Sequence, residues 1–69
     1  MSELGLLVNG EPRRLQAPAT LFDLLAKLDL DPRMVVVELN REIVRRPQLG
    51  AIALRDGDQI ELVHFVGGG

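Results

Sequence analysis

The chain contains no cysteine, no tryptophan and no tyrosine, and only two phenylalanines and one histidine. Without cysteine it can form no disulfide, zinc–thiolate site or catalytic thiol, and it cannot carry sulfur as its own persulfide. No apolar run approaches the ~20 residues that span a bilayer. No apolar N-terminal stretch preceded by basic residues resembles a signal peptide, so a cytoplasmic protein with no membrane partner is expected. A basic surplus is missing as well. Eight Lys+Arg stand against ten Asp+Glu, a formal charge of −2, which argues against a dedicated nucleic-acid binder. What is present is the balance of an ordinary globular domain, with 46% hydrophobic and 26% charged residues. Its 69 residues make one small domain, which buries only about 60% of the surface of its unfolded chain. A domain of this size rarely builds a water-excluding pocket that holds several polar groups in register, so an enzyme is disfavoured.

Leu4, Leu6 and Val8 recur at strand period and run into Asn9-Gly10. Asn-Gly supplies the positive φ angles of a type I′ turn, so a hairpin is predicted. The return strand covers Glu11 to Leu15. Pro12 within it cannot donate a ladder hydrogen bond, which makes it an edge strand. Thr20 and Asp23 have the spacing of a capping box. Leu21, Leu24, Leu25 and Leu28 then form one apolar helical face, and Pro32 lies beyond the helix end. Met34 to Leu39 is nearly all apolar, which predicts a strand buried on both faces or central in a sheet. Asn40-Arg41-Glu42 reads as a turn and Ile43-Val44 as a short strand that Arg45, Arg46 and Pro47 break. Leu49 to Leu54 is weakly patterned, compatible with one helical turn or a short strand. Arg55 to Asp58 is a turn, and Ile60 to Val66 is the last strand. The first and last strands are expected to pair in parallel at the sheet centre, with the leucine face of the helix packed across them. That arrangement is a β-grasp, an α+β fold with a mixed four- to five-stranded sheet and one main helix on one face. Residues 1–66 form the domain and residues 67–69 a flexible C-terminal glycine tail.

The tail is the informative feature. Gly67, Gly68 and Gly69 follow the last strand. Glycine-rich ends are often simply frayed. Yet a glycine carboxylate has no side chain to clash in a narrow channel, and its backbone takes angles other residues cannot. From Val66 to Gly69 an extended chain reaches roughly 13 Å. Val8-Asn9-Gly10, Thr20 with Asp23-Leu24-Leu25, Val35 to Asn40, Ile43-Val44, Asp56 to Glu61 and His64 to Gly69 occur together and in order. In this the chain resembles, end to end, the ubiquitin-like sulfur carriers, above all the ThiS family of thiamine biosynthesis.

The resemblance implies a protein co-substrate. A partner adenylyltransferase, related to ubiquitin-activating enzymes, would use ATP to convert the Gly69 carboxylate to an acyl-adenylate. Sulfur from a cysteine desulfurase would then displace AMP and leave a thiocarboxylate, which thiazole synthase would consume. Gly67 and Gly68 would be recognised in the partner's channel. The minimal family ending has two glycines, and Gly67 adds a third. The chain itself has no G-x-x-x-x-G-K-[ST] loop, so nucleotide chemistry falls to the partner and no cofactor is expected on this chain. It is expected to be a monomer alone.

Strand alternation supplies a surface to go with this chemistry. If Ile60 and Leu62 face the helix, Val63 and Phe65 point outward and form an apolar patch beside the tail, a candidate partner-binding surface. His64 reads as a structural residue at a strand end, since no carboxylate or nucleophile motif lies beside it. Arg41, Arg45 and Arg46 form a basic group on a solvated turn. Asp56-Gly57-Asp58 departs from the calcium-loop pattern and is a turn. Three other readings stand open: the small subunit of molybdopterin synthase, a β-grasp binding module without terminal chemistry, and a modifier conjugated to lysines.

Overall fold

The computed structural model describes residues 2–65. Expectations that concern Val66 to Gly69, including the division between domain and tail, lie outside these residues. Strand β1 (Glu3–Val8) turns at Asn9-Gly10 into β2 (Glu11–Gln16). Helix α1 (Leu21–Lys27) follows, then a 3₁₀ turn at Pro32–Met34, β3 (Val35–Leu39) and β4 (Glu42–Val44). A second 3₁₀ turn at Arg46–Gln48 and a loop lead to β5 (Gln59–His64).

Local chemistry accounts for each boundary. Asn9 and Gly10 have φ of 52° and 80°, the left-handed pair that a two-residue hairpin requires. Thr20 caps α1: its hydroxyl accepts the Asp23 N–H at 3.2 Å while Asp23 accepts the Thr20 N–H at 2.8 Å. That reciprocal box satisfies two donors the helix cannot. The helix ends at Leu28, and Asp29 turns left-handed at φ 60°.

The sheet order is β2-β1-β5-β3-β4. β1 and β5 run parallel, and the other neighbours are antiparallel. This is the predicted β-grasp, with all five strands formed. Leu4, Leu6, Val8, Val35, Val37 and Ile60 point to one face of the sheet and are buried. Leu21, Leu24 and Leu25 of α1 pack onto them, and Leu28 is half-buried at the margin.

Two expectations need correction. β3 is neither central nor buried on both faces: β5 holds the middle position, and Val36 and Glu38 are only partly covered. One seven-residue helix supplies a single covering layer, so the opposite face of the sheet stays open to solvent. The weakly patterned stretch after β4 contributes more than its pattern suggests. Leu49 is 1% exposed, and its carbonyl accepts the Phe22 N–H at 3.0 Å. Leu54 donates to Ala19 O at 2.8 Å, and Ala53 bridges Thr20. The loop thus closes the core over the start of the helix.

Candidate functional site

The entry into β5 is fixed by the turn before it. Asp56 Oδ1 accepts the Gly5 N–H at 2.6 Å, and Gly57 N–H donates to Gly5 O at 2.7 Å. A Cβ at position 5 would lie 3.3 Å from that carboxylate oxygen, so glycine there permits the close approach. Asp58 accepts the Arg55 N–H at 2.7 Å, which closes the turn into the strand.

Two hairpin asparagines then clasp β5 from either side. Asn40 Oδ1 accepts the Gln59 N–H at 3.0 Å, and its own N–H donates to Gln59 O at 2.7 Å. Asn9 does the same further along. Its Oδ1 accepts the Leu62 N–H at 2.7 Å and its Nδ2 donates to Leu62 O at 3.2 Å. The parallel ladder to β1 stops at Val8 and Ile60, so the Asn9 amide replaces the rung that β1 is too short to make.

Beyond Leu62 the strand has a neighbour only in β3. Val35 lies opposite His64, and Phe65 N–H donates to Met34 O at 2.7 Å. At His64 and Phe65 the backbone is therefore paired on one side only among the described residues. Sequence reasoning placed Asn9 in a turn but missed its second role. The signal available was its side-chain amide, which mimics a peptide group.

Val63 and Phe65 lie on the face away from α1, as alternation predicted. They are 56% and 48% exposed. Val36 is the direct cross-strand partner of Val63. Ile43, 67% exposed on β4, lies opposite Glu38, which in turn lies opposite Glu61. The outer face is therefore an apolar patch of Val36, Ile43, Val63 and Phe65 crossed by two glutamates. Reading β3 as doubly buried hid Val36 and Ile43 from the sequence argument. Exposed apolar clusters of this kind are common at interaction surfaces.

His64 points to the other face. It lines an open groove of about 410 Å³ at the C-terminal end of α1, with Glu11, Arg13, Leu28 and Leu30. No group of three or more potential metal ligands exists among the described residues. No helix among them is long and apolar enough to cross a membrane. Among the described residues the clear electrostatic perturbation is the Asp31–Arg33 pair, which lowers the pKa of Asp31 and raises that of Arg33. Arg33 donates to the Asp31 carboxylate from Nη2 at 2.8 Å and from the backbone at 2.9 Å. These bonds, first the side-chain one, hold the Asp31 pKa down at about 2.

A domain with a clasped central strand, an apolar outer face and a glycine ending has counterparts. The sequence profile described as the ThiS family matches residues 6–69. The chain belongs to the ThiS family. The sulfur carrier protein ThiS of Escherichia coli is 33% identical over 64 residues, covering 93% of this chain and 97% of that one. The ThiS of Bacillus subtilis is 48% identical over 50 residues, or 72% of this chain and 76% of its own. A thiazole synthase of Magnetococcus marinus is 48% identical over 62 residues, 90% of this chain but 19% of that protein. The chain thus spans about a fifth of the length of the two thiazole synthases it matches. Among solved structures, the crystal structure of a ThiS thiamine biosynthesis protein from Geobacter metallireducens superposes with a TM-score of 0.79 at 35% identity. The match covers 96% of this chain and 100% of that one. The ThiS fold and the ubiquitin-like β-grasp built above are the same arrangement.

Proposed function

We propose that this protein is a sulfur carrier of thiamine biosynthesis, a co-substrate and not a catalyst. The observation that carries the reading is near full-length correspondence with a protein named as the sulfur carrier ThiS, 97% of whose length is matched. Gly69 is the reacting residue. Its carboxylate is a poor electrophile, and adenylation by a partner adenylyltransferase with ATP gives it a leaving group. Persulfide sulfur from a cysteine desulfurase attacks the acyl-adenylate and expels AMP, and a thiol reductant cleaves the resulting acyl disulfide to leave the thiocarboxylate. Thiazole synthase is the acceptor, a choice supported by thiazole synthases that contain a segment like this chain. That support favours the thiazole over the molybdopterin pathway. Such chemistry belongs in the cytoplasm.

Gly67 and Gly68 pass through the partner's channel, where a side chain would clash. Val63 and Phe65 form the surface against which the partners seat, because β5 delivers the tail from beside them.

The test is direct. Purified protein is incubated with a matching adenylyltransferase, ATP, cysteine and a desulfurase, and its intact mass is measured. The mass rises by the difference between a sulfur and an oxygen atom. Deletion of Gly69, or extension of the chain beyond it, abolishes the rise and leaves the fold intact. A shift that survives loss of Gly69, or no shift with competent partners, overturns the reading.

A further inference from the structure

A second groove, of about 420 Å³, opens at the edge of the sheet where β4 is too short to cover β3. Backbone parity shows what it contains. Met34 O and Asn40 N–H both bond toward β5, so the even-numbered residues of β3 address β5 and the odd-numbered ones address β4. Leu39 and Val37 lie opposite Glu42 and Val44. Val35, the next odd residue, has no strand opposite it. Backbone parity turns it toward the groove, and β4 ends before it could supply a rung there. Val35 is 7% exposed and forms part of the floor of the groove. The floor is otherwise aliphatic, and Val36 and Ile43 join it to the outer apolar patch.

The rim is basic. Arg45 and Arg46 line it, both exposed. From Asn40 to Leu49 the chain carries three arginines against one glutamate, within a protein of net charge −2. Arg13, Arg14 and Arg33 are held in ion pairs, whereas Arg41, Arg45 and Arg46 make none among the described residues.

We infer that this groove docks an extended, carboxylate-bearing segment of the enzyme that activates the C-terminus. The inference rests on the sulfur-carrier reading and adds a partner-selecting element to it. An extended segment runs beside the start of β3 where β4 has ended, an aliphatic side chain fills the floor, and carboxylates meet the two guanidinium groups. Nucleic acid fits poorly: the footprint is two arginines wide, and there is no aromatic side chain in the groove on which a base could stack. Charge complementarity at a rim acts chiefly on encounter rate and is screened by salt. The expected signature is therefore kinetic.

The experiment measures pyrophosphate release by the purified adenylyltransferase as a function of carrier concentration, at low and at high salt. For R45E/R46E, KM rises about tenfold at low salt with kcat little changed, and the difference shrinks at high salt. The milder R45A/R46A pair moves KM in the same direction, which guards against a fold defect in the charge-reversed protein. R13E/R14E, on β2 at the opposite edge, leaves KM unchanged. The inference is overturned if the groove variants keep the wild-type KM at low salt. It is equally overturned if both edges have the same effect, or if the variants alter retention of transfer RNA and nothing else. Failure of wild-type protein to release pyrophosphate would instead remove the carrier reading itself.

Discussion

The two faces of the sheet are built from the same strands and behave as different materials. Along β5, Ile60 is 1% exposed and Val63 is 56% exposed. Along β3, Val37 is buried while its neighbour Val36 is partly open. The inner face meets α1 and the Leu49 loop in aliphatic contact, and it holds the fold. The outer face has no layer over it. Its valines, isoleucine and phenylalanine contribute little to folding, and the free energy of their burial stays available for a partner. With one helix a domain this small covers one side of its sheet and leaves the other exposed among the described residues.

Four measurements break or sharpen that contrast. The largest effect belongs to the inner face: Leu25→Ala, at a fully buried position, costs about 2–5 kcal/mol by lost transfer energy and cavity formation. Chemical denaturation reads it as a lowered midpoint. A loss under 1 kcal/mol would mean that the helix is a loose cover and not the core. Next comes the clasp. Asn9→Gly keeps the left-handed turn and removes both bonds to Leu62, at a cost of about 1–3 kcal/mol. Amide exchange in β5 should speed up from Leu62 onward and stay slow at Ile60.

On the outer face, Phe65→Ala should leave the denaturation midpoint nearly unchanged while it weakens association with the adenylyltransferase or the synthase about tenfold or more. Calorimetric titration checks the binding. A variant that unfolds the protein but binds normally would reverse the roles assigned to the two faces.

The smallest effect is electrostatic. Asp31 titrates at about 2 against an ordinary 3.8. Its folded value lies below the unfolded one, so its contribution is present above pH 3.8 and is lost as pH falls toward 2. Carbon NMR of the Asp31 carboxyl group follows the titration, and Arg33→Ala returns the midpoint toward 3.8. Asp31 and Arg33 are both exposed or nearly so, and the pair is expected to matter little to stability at neutral pH.

Local signals were legible wherever a residue's conformation answers to its own chemistry. Asn9-Gly10 announced the first hairpin, and Thr20 with Asp23 announced the start of the helix. The leucine spacing named the helical face, and alternation placed Val63 and Phe65 outside. The second hairpin was harder to see. Asn40 and Arg41 adopt φ of 50° and 73°, the same left-handed pair as the first turn. Arginine stands where glycine would be easier, because the ladder between β3 and β4 imposes the angle.

The amino-acid sequence alone determined the main strands and the helix, their order, the family resemblance and the exclusion of cysteine chemistry. These depend on short-range sterics, periodicity and composition, which a single strand of text carries. Only the tertiary structure decided that β3 is fully covered on one face alone and that Leu49 is a core residue. It alone showed that Asn9 completes the ladder of β5, that Val36 and Ile43 extend the outer patch, and that Val35 lies on the floor of an arginine-rimmed groove. Each of these depends on which segment lies beside which, and that is set by registers between residues far apart in the chain, where no local preference reaches.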